Sequence, residues 1–286
     1  MVVGALCTTV HKRIAKMDYD PVKDKFGGMV EGRYWPTRLF FALLHLFFLR
    51  AWYVRKAISS VLKGKQGSIR VLDAGTGFGQ YAYWTAKRFT KVRVHAVDIK
   101  PDYLERAKMF TQQAGLDTRI TYSVDDLTRL QASGPYDLVL SVDVMEHIEE
   151  DEKVFANFFR VLRKGGSVII NTPSDQGGSD VTEEGGESFI GEHVRDGYAA
   201  EDLTGKLERA GFVIDEVSFA YGRWGSLAWR ISIKWPMQML NKSFFFVVLL
   251  PFFYVLALPL AFVFNTLDLS SKNNTGTGLT VVAHRP

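Results

Sequence analysis

The stretch best suited to chemistry is Val71-Leu-Asp-Ala-Gly-Thr-Gly-Phe-Gly-Gln80, which continues a short β-rich run, Ile69–Leu72. Gly75, Gly77 and Gly79 let a backbone turn tightly and approach a ligand closely, where side chains would clash. Asp98 closes the next β-rich run, Val92–Val97, 19 residues past Gly79. A carboxylate at that strand tip can accept both hydroxyl protons of a ribose. Together these residues describe a site for an adenosine-containing cofactor at the carboxyl edge of a sheet.

Two departures from the dinucleotide fingerprint narrow the choice. That fingerprint needs a small residue at position 80, where this chain has Gln, and the glycines here are spaced Gly-x-Gly-x-Gly. Asp73 stands two residues before the first glycine. An acid there would repel a pyrophosphate but would favour the ammonium of a methionine moiety. Both departures point to S-adenosylmethionine (SAM) rather than NAD, which leaves an NAD(P)-dependent oxidoreductase as the rival reading.

The surrounding elements must hold that edge. Helical stretches at Phe78–Phe89, Pro101–Ala114, Glu152–Leu162 and Ala199–Ala210 alternate with β-rich runs. The further runs are Ile120–Val124, Tyr136–Val142, Ser167–Asn171 and Phe212–Phe219, with a last at Gly278–His284. Such alternation predicts βαβ units and a parallel sheet. The domains expected are a basic helical cap (1–68), a cofactor-binding core (69–222), a hydrophobic helical insertion (223–277) and the last strand (278–286). Ser174–Asp196 breaks the rhythm as a lid-like loop.

Composition limits the rest. The 286 residues are 47% hydrophobic and 23% charged, enough for a sizeable core and too apolar for wholesale disorder. A single cysteine excludes an internal disulfide framework. The net charge of +4 divides unevenly: +9 over residues 1–70, −10 over 71–222 and +5 over 223–286. The basic ends hold the most apolar runs, Leu39–Leu49 and the charge-free Phe244–Phe264. Nucleic-acid binding predicts basic residues interleaved with polar and aromatic ones, not flanking greasy runs, so no nucleic-acid partner is expected. Basic flanks around apolar helices suit an anionic membrane surface. Met1–Val10 lacks the basic start of a secretory signal, so a cytoplasmic location at the inner face of the membrane is expected.

On these motifs the sequence resembles the class I SAM-dependent methyltransferases, most closely the group of quinone-biosynthesis and small-molecule enzymes. The resemblance covers about residues 69–222 and the final strand. It implies a Rossmann-like α/β fold of seven strands, mostly parallel with the last antiparallel. It makes Asp73, Gly75, Gly77 and Gly79 the glycine motif, Asp98 the ribose acid, Ile99 a flank to the adenine, and Asp125-Asp126-Leu127 the stretch capping the ring. Tyr136–His147 resembles the fourth-strand motif that passes the methionine end, including Val142, and opens onto the acceptor. Leu162–Gly166 with Ile169–Pro173 matches the turn and fifth strand. A basic residue near Arg55, 16 residues before Val71, touches the cofactor in the quinone-type enzymes.

Methyl transfer would be an in-line displacement governed by alignment and exclusion of water. A hydroxyl acceptor also needs a base. His147 is the first candidate, against the alternative that Glu146-His147 caps the next helix. His193, near Arg195 and Tyr198 in the lid-like loop, is the second, against a surface histidine. His11, His45, His95 and His284 read as structural. No cluster has convincing metal-ligand spacing, so no metal is expected, though Asp143, Glu146 and His147 are oxygen-rich.

Phe244–Phe264 is long enough to cross a bilayer, at roughly 31 Å. Its flanking strands share one sheet, so it must leave and return on one side, with Pro251 and Pro259 as expected break points. The expectation is a peripheral or monotopic protein acting on a small, lipid- or isoprenoid-like acceptor. The competing expectations are a homodimer interface built from the same apolar elements, and a non-catalytic membrane scaffold that keeps the fold.

Overall fold

The computed structural model describes residues 33–176 and 194–286. One sheet runs through it, with strands β1 (Ile69–Ala74), β2 (Val92–Asp98), β3 (Ile120–Val124), β4 (Tyr136–Val142), β5 (Leu162–Pro173), β6 (Val213–Ala220) and β7 (Gly278–His284). Their order is β3-β2-β1-β4-β5-β7-β6. β1 to β5 pair in parallel, and β7 runs antiparallel between β5 and β6. This is the seven-stranded α/β architecture expected. The connections diverge from β1 and β4, so a crevice opens at the carboxyl ends of those two strands, the topological switch point.

The helices are α1 (Tyr34–Phe47), α2 (Leu49–Leu62), α3 (Gln80–Arg88), α4 (Pro101–Gln113), α5 (Asp151–Val161), α6 (Ala200–Arg209), α7 (Arg223–Trp229), α8 (Trp235–Lys242) and α9 (Leu250–Ser270). Alternate strand residues feed two cores. Leu72, Val139, Val168 and Ile170 pack with Phe155, Phe158, Leu203 and Leu207 of α5 and α6. Val71, Leu138, Leu140 and Ile169 pack with Val54, Ile58, Ala82 and Phe110 of α2, α3 and α4.

Four expectations are corrected. α3 starts at Gln80 rather than Phe78, because Gly77 and Gly79 hold left-handed backbone (φ 54° and 76°) that a right-handed helix excludes. Leu162–Gly166 is not a turn but the start of β5, where Gly165 N–H donates to Arg285 and Arg285 N–H to Gly166. Leu39–Leu49 is not one helix: α1 stops at Phe47, Phe48 is extended, and the chain bends 93° into α2. Pro259 does not break the apolar run. It lies inside the continuous 21-residue α9, held to the protein on either side by buried Ala257 and Ala261, while Pro251 sits in the first turn, where no N–H partner is needed.

The chain leaves β6 through α7, a π-helical turn (Arg230–Lys234) and α8, and returns through a 3-10 turn (Phe244–Val248) and α9. α1 and α2 lie beside the returning helix. The Phe47 ring is 6.0 Å from Tyr254, and that of Trp52 is 5.2 Å from Phe262.

Candidate active site

A cavity of about 330 Å³ opens at the carboxyl ends of β1 and β4. Its polar end is built by the turn after β1. Gly75 (φ 79°) lies so close to β4 that a Cβ there would come within 2.3 Å of the Val144 side chain. At Gly77 a Cβ would meet nothing within 4 Å, so its backbone borders open space where a ligand can lie against it. The Gly75 and Thr76 amides donate to the Val97 carbonyl at 2.9 Å, which locks the turn to β2.

Asp98 closes β2 and faces this turn. Its Oδ2 accepts from the Gly77 amide (2.8 Å) and its Oδ1 from Lys100 (2.9 Å). Each oxygen keeps a further lone pair for a ribose hydroxyl. Asp73 is buried and accepts from Thr76 Oγ1 at 2.6 Å. Burial pushes its carboxyl up to about 6, against the pull of that hydrogen bond. Ile99, 46% exposed, and Leu127 supply apolar surface at the same end for a base.

The two adjacent acids divide their work. Asp125 accepts from the amides of Gln131 and Ala132 (3.0 and 2.8 Å), so its carboxylate is turned into its own loop. Asp126 uses Oδ1 to accept from Thr128 N–H and Oγ1, at 2.9 and 2.8 Å. Asp126 also lines the cavity. Val142 and His147 line the cavity from β4 and the 3-10 turn after it, Met145–His147. Gly79 caps α3 from below rather than lining the space.

The residues fit an adenosine cofactor. The glycine cradle is open, and the Gln80 Oε1 and Asp143 Oδ1 atoms are buried without a partner. Among the described residues no cluster could hold a metal ion.

His193 lies outside the described residues, as do His11 and most of the lid-like loop. Its expected neighbours Arg195 and Tyr198 do not reach towards an acceptor. Both are bound to Asp151 at the start of α5, with the Tyr198 hydroxyl at 2.6 Å, and Lys206 Nζ joins them at 2.8 Å. Arg55 does not touch the cavity either. It pairs with buried His45 and covers the Trp84 ring at 4.9 Å. Burial, reinforced by Arg55, holds His45 down at about 4. His95 bonds Tyr136 and Ser123 inside the sheet, and His284 bonds Asp215.

Sequence reasoning missed a cation that lines the cavity. Arg50 of α2 pairs with Asp143, which adopts a left-handed backbone (φ 53°) just after β4. Such a conformation in a non-glycine residue is a strained one, and strain of this kind collects at functional sites. Burial works against the Arg50 charge, but Asp143, with Tyr81, Tyr221 and Glu146, more than offsets it. Glu146 beneath them is fully buried, accepts from Thr172 Oγ1 at 3.1 Å, and is pushed up to about 8 by burial and by Asp143. An apolar group was missed too: Phe40, Phe41, Leu44 and Phe48, from α1 and its junction with α2, also line the cavity.

Comparison with known proteins agrees with this geometry. Residues 71–166 match the family described as a methyltransferase domain. A SAM-dependent Diels-Alderase of Talaromyces variabilis is 32% identical over 160 residues, 50% of this chain and 53% of that one. A ubiquinone biosynthesis O-methyltransferase of Xanthomonas axonopodis is 26% identical over 181 residues, 60% of this chain and 74% of that one. The chain therefore spans about half the length of the first relative. Phosphoethanolamine N-methyltransferase 2 of Haemonchus contortus, solved with SAM, superposes with a TM-score of 0.56 at 23% identity, over 82% of this chain and 53% of that one, and so shares the fold. With the glycine turn, the strand-end acid and the sheet order all in place, residues 71–166 carry a methyltransferase domain of the class I, SAM-dependent kind, with SAM as the cofactor of that domain.

Proposed function

We propose that the protein transfers a methyl group from SAM to a small, apolar, lipid- or isoprenoid-like acceptor at the cytoplasmic surface of a membrane. One observation carries this reading. A single cavity joins a nucleotide end (Asp73, Gly77, Asp98) to a wall of Phe40, Phe41, Leu44 and Phe48. That wall offers no hydrogen-bond partner, so it favours a hydrocarbon over a sugar or an amino acid.

The bound cofactor supplies an electrophilic sulfonium methyl. Asp98 and the Gly77 backbone would hold the nucleoside, and Asp73 would attract the ammonium. The phenylalanine wall aligns the acceptor and keeps water out, which is most of what an in-line displacement needs. Where the acceptor is a hydroxyl, His147 takes up the proton it loses.

The relative named a Diels-Alderase favours a second reading, in which the site binds SAM but serves chemistry other than methyl transfer. Incubation with methyl-labelled SAM and a total lipid extract separates the two. Label in an apolar product, with S-adenosylhomocysteine released in equal amount, supports methyl transfer. SAM binding without label in any fraction supports the second reading. Calorimetry with NAD(H) closes the dinucleotide alternative, and NAD binding without SAM binding would overturn both.

A further inference from the structure

α9 has its polarity inside out. The side chains it buries are Ala257, Ala261, Asn265 and Asp268, the last completely. Those it exposes are Phe252 (72%), Val255 (70%), Leu256 (73%), Leu260, Phe262, Val263 and Leu267. A helix on the surface of a water-soluble protein does the reverse, turning its apolar stripe inward and its charges out. Asp268 is the only charge in the helix, and it points at the protein. It accepts from the Gly225 amide at 2.8 Å and the Tyr53 hydroxyl at 3.0 Å. This pattern suits a helix with hydrocarbon on its outer side.

The exposed stripe runs the length of the helix rather than crowning one tip. Asp268 and Gly225 clamp the returning helix to α7, so closely that a Cβ at Gly225 would come within 2.9 Å of the Asp268 carboxyl carbon. β6 and β7, which bracket the excursion, pair with each other. The hairpin therefore leaves and returns through one face, and α9 presents its side to its surroundings.

α1 adjoins it through the Phe47–Tyr254 contact. On α1, Phe40, Phe41 and Leu44 line the cavity, while Leu39, Leu43 and Leu46 are exposed on the other side. That helix is the partition between the acceptor wall and the exterior.

Charge decides what covers this surface. Between Arg223 and Trp235 the charges are Arg223, Arg230 and Lys234, all positive. Arg33 and Arg38 add exposed positive charge at the start of α1. A second copy would set cations against cations, whereas anionic lipid headgroups complement them. We propose that α9, α8 and the outer side of α1 form a monotopic docking surface that sinks into one leaflet of an anionic bilayer, with α1 as the wall through which a lipid-borne acceptor reaches the site. The route through α1 rests on the apolar-acceptor reading. The docking surface does not.

Flotation of the full chain with phosphatidylcholine vesicles, with and without phosphatidylglycerol, tests it. The protein should float with the anionic vesicles, and lipids brominated in the upper acyl chain should quench exposed Trp35 and Trp235. The double substitution Phe252→Gln/Leu256→Gln should cut the floated fraction at least roughly tenfold, as expected for two large apolar side chains returned to water. It should leave SAM affinity by calorimetry unchanged, which shows that the variant is folded. A wild-type chain that floats with neither vesicle overturns the proposal. So does a wild-type dimer, without vesicle binding, that the double variant turns into monomer. Vesicle binding with no methyl transfer to a detergent-dispersed acceptor would sink the functional reading and leave the docking surface standing.

Discussion

The carboxyl edge of the sheet and the α7–α9 hairpin follow opposite rules. At the sheet edge, Val71, Leu72 and Leu140 are sealed between helices, while Asp98 and the Gly77 amide border open space. In the hairpin, Asn265 and Asp268 are sealed and Phe252 and Leu256 lie open. One region opens its polar groups to a ligand, and the other turns its apolar side chains outward, as the proposed docking surface requires. Where a chain places its polar atoms, rather than how many it has, tells which solvent each part expects.

The same substitution in the two regions gives the largest contrast. Leu140→Ala removes a fully buried side chain of β4, and should cost about 2–5 kcal/mol in a urea melt. Leu256→Ala removes the same atoms from α9 and should change stability by less than about 0.5 kcal/mol. Equal losses at both positions would mean that the α9 face is packed against something in solution, and the contrast would collapse.

At the sheet edge, Asp98→Ala removes a carboxylate that fixes the glycine turn through Gly77. SAM affinity measured by calorimetry should fall about 10–100-fold, the range for a lost hydrogen bond to a charged group. Unchanged affinity would discard the assignment. The same measurement on Asp268→Asn, in the hairpin, should show no loss of SAM affinity.

How much of this was legible depends on distance along the chain. The glycine turn, Asp73 and Asp98 were readable because a strand, a turn and the next strand tip follow one another within 30 residues. The β5 start was misread because Lys164-Gly-Gly has the composition of a turn, and only long-range pairing, with Tyr136 and Arg285, makes it strand. Arg50 could not be found, because its partner Asp143 lies 93 residues away and no local pattern links them. The acceptor wall was hidden for a related reason. Leu39–Leu49 is apolar on every side, so the run does not say that Phe40 and Leu44 would face a cavity and Leu43 the exterior. Phe244–Phe264 was equally silent. The residues that reveal its orientation, Asn265 and Asp268, lie just beyond it.

The smallest effect expected is a pH dependence centred on Asp73. Burial raises its carboxyl from 3.8 to about 6 in the folded protein. Between those values the native state holds a proton that the unfolded chain has released, so the stability this group contributes declines as pH rises from about 4 to 6. Cofactor binding should move the other way. An ionised Asp73 attracts the ammonium of SAM and a protonated one does not, so affinity should drop about tenfold between pH 7 and pH 5. Asp73→Asn should flatten both dependences and hold SAM at the weaker, low-pH level throughout. If calorimetry finds wild-type affinity flat across that range, Asp73 serves the turn through Thr76 alone, and the polar end of the cavity owes its charge selectivity to another group.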